Sequence, residues 1–554
     1  MTLKPASAGF FMTTRFLSSL LSRFTIGGVV ALTLSWLAYD HYRPWINFHS
    51  EWLAFFGLLG LGLGLGLGLL PSFSLPRISL WIAGIALLPW LQYAGGIVVF
   101  GGDAWMASLY LLGLAGAVGI GYAGSRSWIH SLWIAALVST AIGVAQWFNL
   151  EGVLWGGFAV AVEQGDRAMG NLGQANQLAT LLLLGMVALI YALERGVMQR
   201  GVVGIAIAFL TLGLILSQSR SGMVGAVVAA LWWMVRTRHR VHRVAIGTWV
   251  VLFVIGTLAL PYVSEALRGA SVRGLQTTAP ISQRWDLWQQ IGHAIAQSPW
   301  WGYGWNQTPS AQAAGAIAHP DAILGGYAHN GIIDLLAWNG IPLGLGLCGM
   351  VAYWWISRLR QARTPHAVGA IAGLLVITIH SLLEYPFAYA YFLITTGLLI
   401  GVVEAEIASA APLRLSRRAA MAGLAVVLPL GLWTGYEYHR IEEDFRVVRY
   451  RAMGITDYAP ADYQLSRPVL LTQLDALLQS HSMAVRATMP DADVQLLGAT
   501  ARRFADPIVW CRYTQALAWK GRKSNVPHEL ATIRALFGEN SYQTCASQLR
   551  KLSL

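Results

Sequence analysis

The chain has 554 residues, 56% of them hydrophobic and 12% charged, with a mean hydropathy of +0.53. Soluble domains carry about 25% charged residues, so a soluble globular fold is excluded and a polytopic membrane protein is expected. The net charge of +12 is spread over loops and a tail, which favours topology determinants and attraction to membrane lipids over nucleic acid as a partner.

Apolar runs suited to a bilayer core of about 30 Å fall at 24–39, 51–70, 78–93, 103–123, 128–147, 173–193, 202–217, 221–236, 243–263, 331–357, 368–384, 388–405 and 419–436. The expected fold class is all-α, with about 12–14 transmembrane helices. Residues 1–436 form the transmembrane domain, with a large loop at 264–330. Residues 437–554 form a small soluble helical domain of amphipathic segments around 468–488, 492–506, 509–521 and 527–537. Lys4, Arg15 and Arg23 precede the first apolar block, no small-residue cleavage site follows it, and it reads as a retained span. The run GLLGLGLGLGLGLL lacks the strand context of a nucleotide-binding loop and reads as a helix that packs closely through small residues.

Positive charge tests this map. With the N-terminus in the cytoplasm, cytoplasmic gaps carry Lys4, Arg15, Arg23, Arg77, Arg126, Arg195, Arg200, Arg236, Arg238, Arg240, Arg243, Arg358, Arg360, Arg363, Arg414, Arg417 and Arg418. The opposite gaps carry only Arg43, Arg167, Arg220, Arg268, Arg273 and Arg284. An odd number of spans then puts the tail outside, in the periplasm of a Gram-negative cell. Three cysteines cannot build a disulfide framework. Cys348 lies in a span, and Cys511 with Cys545 can pair in the tail if that tail is outside.

The outward-facing polar residues gather in four segments: DRAMGNLGQANQ (166–177), SQSRSG (217–222), the long loop with Arg284, Tyr327, His329 and Asn330, and HSLLEYP (380–386). Gln92, Tyr93 and Asp103 are further candidates. Ionisable groups at membrane depth are costly and usually line a cavity or substrate path, so one shared cavity is expected. Arg220 reads either as snorkelling to headgroups or as half of a diphosphate clamp with Arg284, whose planar forks give bidentate bonds. Arg284 also reads as a partner of Asp286. His329 reads as an interfacial polar group or as a base able to accept a hydroxyl proton. Trp285, Trp288, Trp300, Trp301 and Trp305 read equally as an interfacial belt or as sugar-stacking rings. No HExxH, CxxC, Walker loop or GxGxxG with a following Asp occurs, so neither metal nor nucleotide cofactor is expected.

The segments GNLGQANQLATLLLLG (170–185), SQSRSG (217–222), QRWDLWQQIGHAIAQSPWWGYGWNQ (283–307), AHNGIIDLLAWNGIPLG (328–344) and HSLLEYPFAYAYFL (380–393) resemble the bacterial PglL/PilO-type O-oligosaccharyltransferases. These lie in a superfamily with O-antigen ligases and polymerases (WaaL/Wzy). Ala175 stands where many relatives have proline. The resemblance implies metal-independent, inverting transfer of a preassembled glycan from undecaprenyl diphosphate on the periplasmic side of the inner membrane. The acceptor would be a Ser or Thr hydroxyl of pilin or another exported protein. Arg220 and Arg284 would hold the diphosphate and His329 would be the base. Asn171, Gln174, Gln177, Tyr327, Asn330, Glu384 and Tyr385 would line the site. An O-antigen ligase with a lipid A-core acceptor, a polymerase, and a lipid-linked glycan transporter are the competing readings.

Overall fold

The computed structural model describes residues 8–39, 42–66, 72–124, 126–163, 166–237, 239–268, 279–320, 322–407, 413–455 and 457–551. Its helices are α1 (Ala8–Ser35), α2 (Phe48–Gly66), α3 (Arg77–Ile85), α4 (Leu88–Ala94), α5 (Gly101–Tyr122), α6 (Ile129–Trp147), α7 (Glu151–Leu154), α8 (Ala175–Glu194), α9 (Arg200–Ser217), α10 (Arg220–Arg236) and α11 (Arg240–Arg268). There follow α12 (Ala279–Gln297), α13 (Thr308–Gly315), α14 (Gly331–Gln361), α15 (Pro365–Leu383), α16 (Ala390–Ile407), α17 (Arg417–Ala452), α18 (Thr472–Ser482), α19 (Asp491–Phe504), α20 (Pro507–Trp519) and α21 (Val526–Lys551). Ten of these are long and apolar enough to cross a membrane among the described residues. The expected all-α polytopic membrane fold is what the chain adopts.

Twelve of the expected spans correspond to one helix each, although α10 has 17 residues and the apolar part of α1 that is described runs only from Ser22 to Ser35. The span expected at 78–93 does not exist as one helix. It divides into α3, of 9 residues, and α4, of 7, because Pro89 in the first turn of α4 has no N–H to continue a helix from upstream. At 1.5 Å per residue neither piece alone reaches across a bilayer, and the alternation of charged gaps holds only with α3 and α4 making this crossing in succession. The span expected at 331–357 is also interrupted, at Gly340, where φ is 73° and ψ 175°.

The contacts divide the chain into two compact units: residues 1–84, 110–276 and 355–431, and residues 85–109, 277–354 and 432–554. In the first unit, the Gly/Leu run resolves into a helix-pairing face. A Cβ at Gly60 would lie 2.8 Å from the Cα of Gly28, and one at Gly57 would lie 2.6 Å from the Leu32 side chain. Only bare backbone allows α1 and α2 to approach this closely, and in lipid such close packing is what drives helix association. Further along, α8 packs against α6, α9, α10 and α15 and is enclosed over most of its length. Strands β1 (Ser72–Leu75) and β2 (Leu413–Ser416) pair antiparallel, Ser72 opposite Ser416.

In the second unit the tail forms a helical layer around Leu477, Val494, Leu497, Trp510, Ile533 and Leu536. Cys511 and Cys545 are bonded to each other, joining α20 to α21. Asp103 at the start of α5 is buried and takes both nitrogens of the Arg503 fork, at 2.8 Å and 2.7 Å. Gln307 Nε2 donates to the same carboxylate at 3.2 Å, so one Asp ties the long loop and the tail to α5.

Asp506 starts α20. Its carboxylate accepts from the N–H groups of Ile508 and Val509 at 3.0 Å and 2.9 Å and meets His481 Nε2 at 3.2 Å. Burial raises this carboxyl's pKa, but the His481 hydrogen bond and charge and the two amides outweigh it, leaving the group below its ordinary range. A depressed folded-state pKa gives stability that is present above the unfolded value, near 4, and is lost as pH falls through the folded value. Asp506→Ala in the full chain is therefore expected to cost about 1–2 kcal/mol at pH 7. Thermal unfolding should show this deficit shrinking below about pH 4, where wild type loses the same contribution.

Candidate functional site

In the first unit, the N-termini of α8 and α10 and the C-terminus of α15 meet in a continuous hydrogen-bond network. Glu384, 3% exposed, follows the last residue of α15. Its Oε1 accepts from Asn176 Nδ2 at 2.9 Å and its Oε2 from Gln174 Nε2 at 3.4 Å. Asn176 Oδ1 accepts from Ser219 Oγ at 2.7 Å, and Ser219 Oγ lies 3.1 Å from Ser221 Oγ. Ser219 also caps α10 by accepting from Gly222 N at 3.0 Å. The carboxylate sits where a helix N-terminus favours negative charge, and the buried Asn176 and Glu384 are fully engaged, as low dielectric requires.

The pairing repeats one turn further along. Thr180 Oγ1 is 2.9 Å from His380 Nδ1, so residues 176 and 180 of α8 face residues 384 and 380 on the α15 side at the same spacing of four. Tyr391 OH donates to Gln177 Oε1 at 2.9 Å, and Tyr385 stacks on Tyr389, which stacks on Tyr391. Burial, followed by the Glu384 charge, raises the Tyr385 hydroxyl above its usual pKa. Arg220 is the first residue of α10, half-buried, behind Gln218 in the left-handed region (φ 47°).

Asn171 is placed differently from a side chain that faces a substrate. Its Nδ2 donates to the carbonyls of Leu37 and Phe158, and its Oδ1 accepts from Val160 N. The asparagine therefore holds the 158–160 loop in place. Gln146 of α6 does the same for residues 169–170. Its amide donates to Val160 O and Gly170 O and accepts from Met169 N and Gly170 N.

In the second unit, Arg284 and Trp288 lie on one face of α12, four residues apart. Trp288 Nε1 donates to Ala328 O at 2.8 Å. The Ala328 amide donates to Asp334 Oδ1 at 2.9 Å, and that oxygen also accepts from Thr308 Oγ1 at 2.7 Å. Both backbone groups of Ala328 are thus pinned, which fixes the next residue, His329. His329 is half-buried and has φ 55°, a conformation that non-glycine residues adopt at a cost and that recurs at functional sites. Asn330 Oδ1 accepts from Ile332 N and Ile333 N, so it caps α14. The Tyr327 ring stands edge-on to Trp338 at 6.2 Å.

The SPWWGYGWNQ stretch closes over the break in α14. Tyr303 N donates to Ala337 O at 2.8 Å and Gly304 N to Trp338 O at 3.0 Å, while Ile341 N donates to Pro299 O at 2.7 Å. Gln92 Nε2 donates to Trp338 O at 3.0 Å and its Oε1 accepts from Trp305 N at 2.8 Å. Carbonyls freed by Gly340 and Pro342 are satisfied by this loop, as an interrupted helix at membrane depth demands. Trp305 is 9% exposed and packs on Trp338, so it belongs to the core, and Trp288 is the Ala328 anchor. Trp285, Trp300 and Trp301 are exposed.

Asp334, Thr308, Thr180 and Gln146 are supports that the sequence does not single out. Asp334 carried a signal: a carboxylate in the first turn of an apolar span. The others are short polar side chains inside apolar helices, visible only through their partners.

Three family models match in chain order. One described as "Protein glycosylation ligase" matches residues 168–193, one described as "O-Antigen ligase" matches 205–348, and one described as "Virulence factor membrane-bound polymerase, C-terminal" matches 368–551. These stretches contain the Asn171–Gln177 segment, the Arg220-to-His329 stretch, and Glu384 with the tail. Fold and matches together define a polytopic membrane glycosyltransferase. More particularly, the chain is similar to the O-oligosaccharyltransferases, as its motifs suggested. It is 28% identical over 531 residues to the "General O-oligosaccharyltransferase" of Acinetobacter baylyi, covering 92% of this chain and 91% of that protein. It is 26% identical over 254 residues to the "ComP-specific O-oligosaccharyltransferase" of the same organism, covering 45% of this chain and 46% of that one.

Proposed function

We propose that the protein transfers a preassembled glycan from undecaprenyl diphosphate to a Ser or Thr hydroxyl of pilin or another exported protein. The observation that carries this reading is the similarity to a general O-oligosaccharyltransferase along 92% of the chain. Transfer takes place on the periplasmic face of the bacterial inner membrane. Three features support that orientation. The β1–β2 pair joins two gaps that both carry arginine, Arg77 and Arg414 with Arg417 and Arg418. The gaps assigned to the opposite face are poor in cations. The tail holds a disulfide, which persists in oxidising compartments.

In this proposal Arg220 and Arg284 neutralise the diphosphate, whose departure needs its charge compensated. His329 accepts the acceptor proton as the glycosidic bond forms. One base and no covalent glycosyl-enzyme imply inversion at the sugar carbon. Gln174, Glu384 and Tyr385 line the Arg220 region, with Tyr327 beside His329. Asn171, Gln177 and Asn330 support this machinery through the hydrogen bonds given above. If Arg220 grips phosphate with both fork nitrogens, Arg220→Lys loses roughly 10–100-fold in transfer rate, equivalent to one charge-assisted hydrogen bond. Transfer assays on the variant in membranes check this, and near-wild-type rates would mean a snorkelling arginine.

The matches to the O-antigen ligase and polymerase models over 205–348 and 368–551 support a second reading, in which the acceptor is lipid A-core or the glycan itself. A deletion strain separates them. Protein glycosylation lost with lipopolysaccharide unchanged supports the proposal, and uncapped lipopolysaccharide with intact glycoproteins supports the second reading.

A further inference from the structure

The first unit also holds an apolar cleft at the ends of α8, α10 and α15 that lie opposite the Glu384 network. It is lined by Trp128, Leu132, Leu184, Trp233, Gly369 and Val402, among others, and Tyr191, Glu194 and His366 stand at its margin. From Asn176 to Glu194, α8 separates the cleft from that network by about 27 Å at 1.5 Å per residue. The transfer proposed above assigns it no step.

Both signs of charge gather at this margin. Arg126 Nη1 donates to Gly121 O at 2.5 Å and its guanidinium lies within electrostatic reach of Tyr191, Glu406 and Arg195. Burial, aided by the like charge of Arg195, holds Arg126 below its ordinary pKa. His366 Nδ1 is 3.1 Å from Glu406 Oε1, and its ring is 5.0 Å from Tyr191. Glu194 and Arg195 are exposed, and neither side chain makes an ion pair among the described residues. An apolar cleft in a membrane-embedded bundle gains dispersion contacts from an acyl chain. With Glu406 engaged by His366, two guanidiniums beside the Glu194 carboxylate complement a headgroup with one phosphate and one ammonium.

We propose that this cleft binds one phospholipid of the phosphatidylethanolamine type. Its acyl chain lies against Trp128, Leu132 and Trp233, its phosphate between Arg126 and Arg195, and its ammonium at Glu194. Gly369 provides a way to block the site. A Cβ there would make only ordinary contact with Trp233, at 3.9 Å and 4.0 Å, so a substitution starts from an open position on the cleft wall and also replaces a helical glycine.

The test uses the purified, delipidated full-length protein in detergent, with thermal unfolding followed as phosphatidylethanolamine, phosphatidylcholine or phosphatidylglycerol is added. Wild type should gain at least ~3 °C from phosphatidylethanolamine beyond the other two lipids. Gly369→Phe should keep or raise the lipid-free Tm and lose that increment. Glu194→Gln should respond equally to phosphatidylethanolamine and phosphatidylcholine. Arg195→Gln, at an exposed position, should also lose the increment, and it carries the test if Gly369→Phe does not fold. Equal responses of wild type to all three lipids, or an undiminished increment in Gly369→Phe, would overturn the assignment. An increment unaffected by Arg195→Gln would overturn it too.

Discussion

His329→Ala is expected to lower the rate of glycan transfer by roughly 10²–10⁴-fold, the range a positioned general base contributes, while the purified protein elutes and unfolds like wild type. The imidazole follows Ala328, whose N–H and C=O are held by Asp334 and Trp288, so removing it leaves the scaffold bonds intact. Arg284→Ala is expected to lose transfer to a similar degree. It lies one turn from Trp288 on the same helix face, and a diphosphate that loses one of its two proposed guanidiniums is a poorer leaving group. Transfer assays beside thermal melts measure both effects. Wild-type rates in both variants would remove the roles proposed for these residues.

The second large effect is structural. A Cβ at Gly340 would lie 2.5 Å from the Trp300 carbonyl, and one at Gly302 would lie 2.5 Å from the Ala337 carbonyl. Both glycines also have φ near +70° (73° and 68°), where L side chains cost about 1–2 kcal/mol. With overpacking of a further ~1–3 kcal/mol, Gly340→Ala should destabilise by about 2–5 kcal/mol and release the loop that satisfies the α14 break. Gly346→Ala is the control: it lies in the same helix, and its Cβ would meet nothing within 4 Å. Size-exclusion profiles and Tm in detergent should separate the two, with the Gly346 variant unchanged or slightly stabilised.

Most of the membrane architecture was legible because a bilayer imposes one coarse rule: about 20 apolar residues per crossing. That rule reads length and composition, and so it missed breaks that depend on single residues. Pro89 divides 78–93, and Gly340 with Pro342 interrupts α14, where nearby backbone and Gln92 replace the missing helical bonds. The Gly/Leu run was legible as a packing surface, and Gly57 and Gly60 carry it out.

The candidate site was legible through charged residues and motif resemblance, and less so through its supports. Glu384, Gln174 and Arg220 stood out as polar groups in apolar surroundings. Asn176 and Ser219, which link them, were in view as motif letters, but their partners lie on other helices, 208 and 43 residues apart in sequence. Asn171 looked like a lining residue because sequence shows an amide without showing what its donors meet. Its bonds to Leu37, Phe158 and Val160 make it a loop clamp. The five tryptophans of the long loop also divide only in three dimensions, with Trp305 in the core and Trp300 and Trp301 exposed.

The central claim is that the glycan goes from a lipid diphosphate to a protein hydroxyl. The most direct measurement incubates the purified protein with undecaprenyl-diphosphate-linked oligosaccharide, an exported pilin-like acceptor and lipid A-core together, and follows intact masses. The predicted result is acceptor protein heavier by one whole glycan, modified at Ser or Thr, with lipid A-core unchanged. Glycan on lipid A-core with the protein unmodified would contradict it.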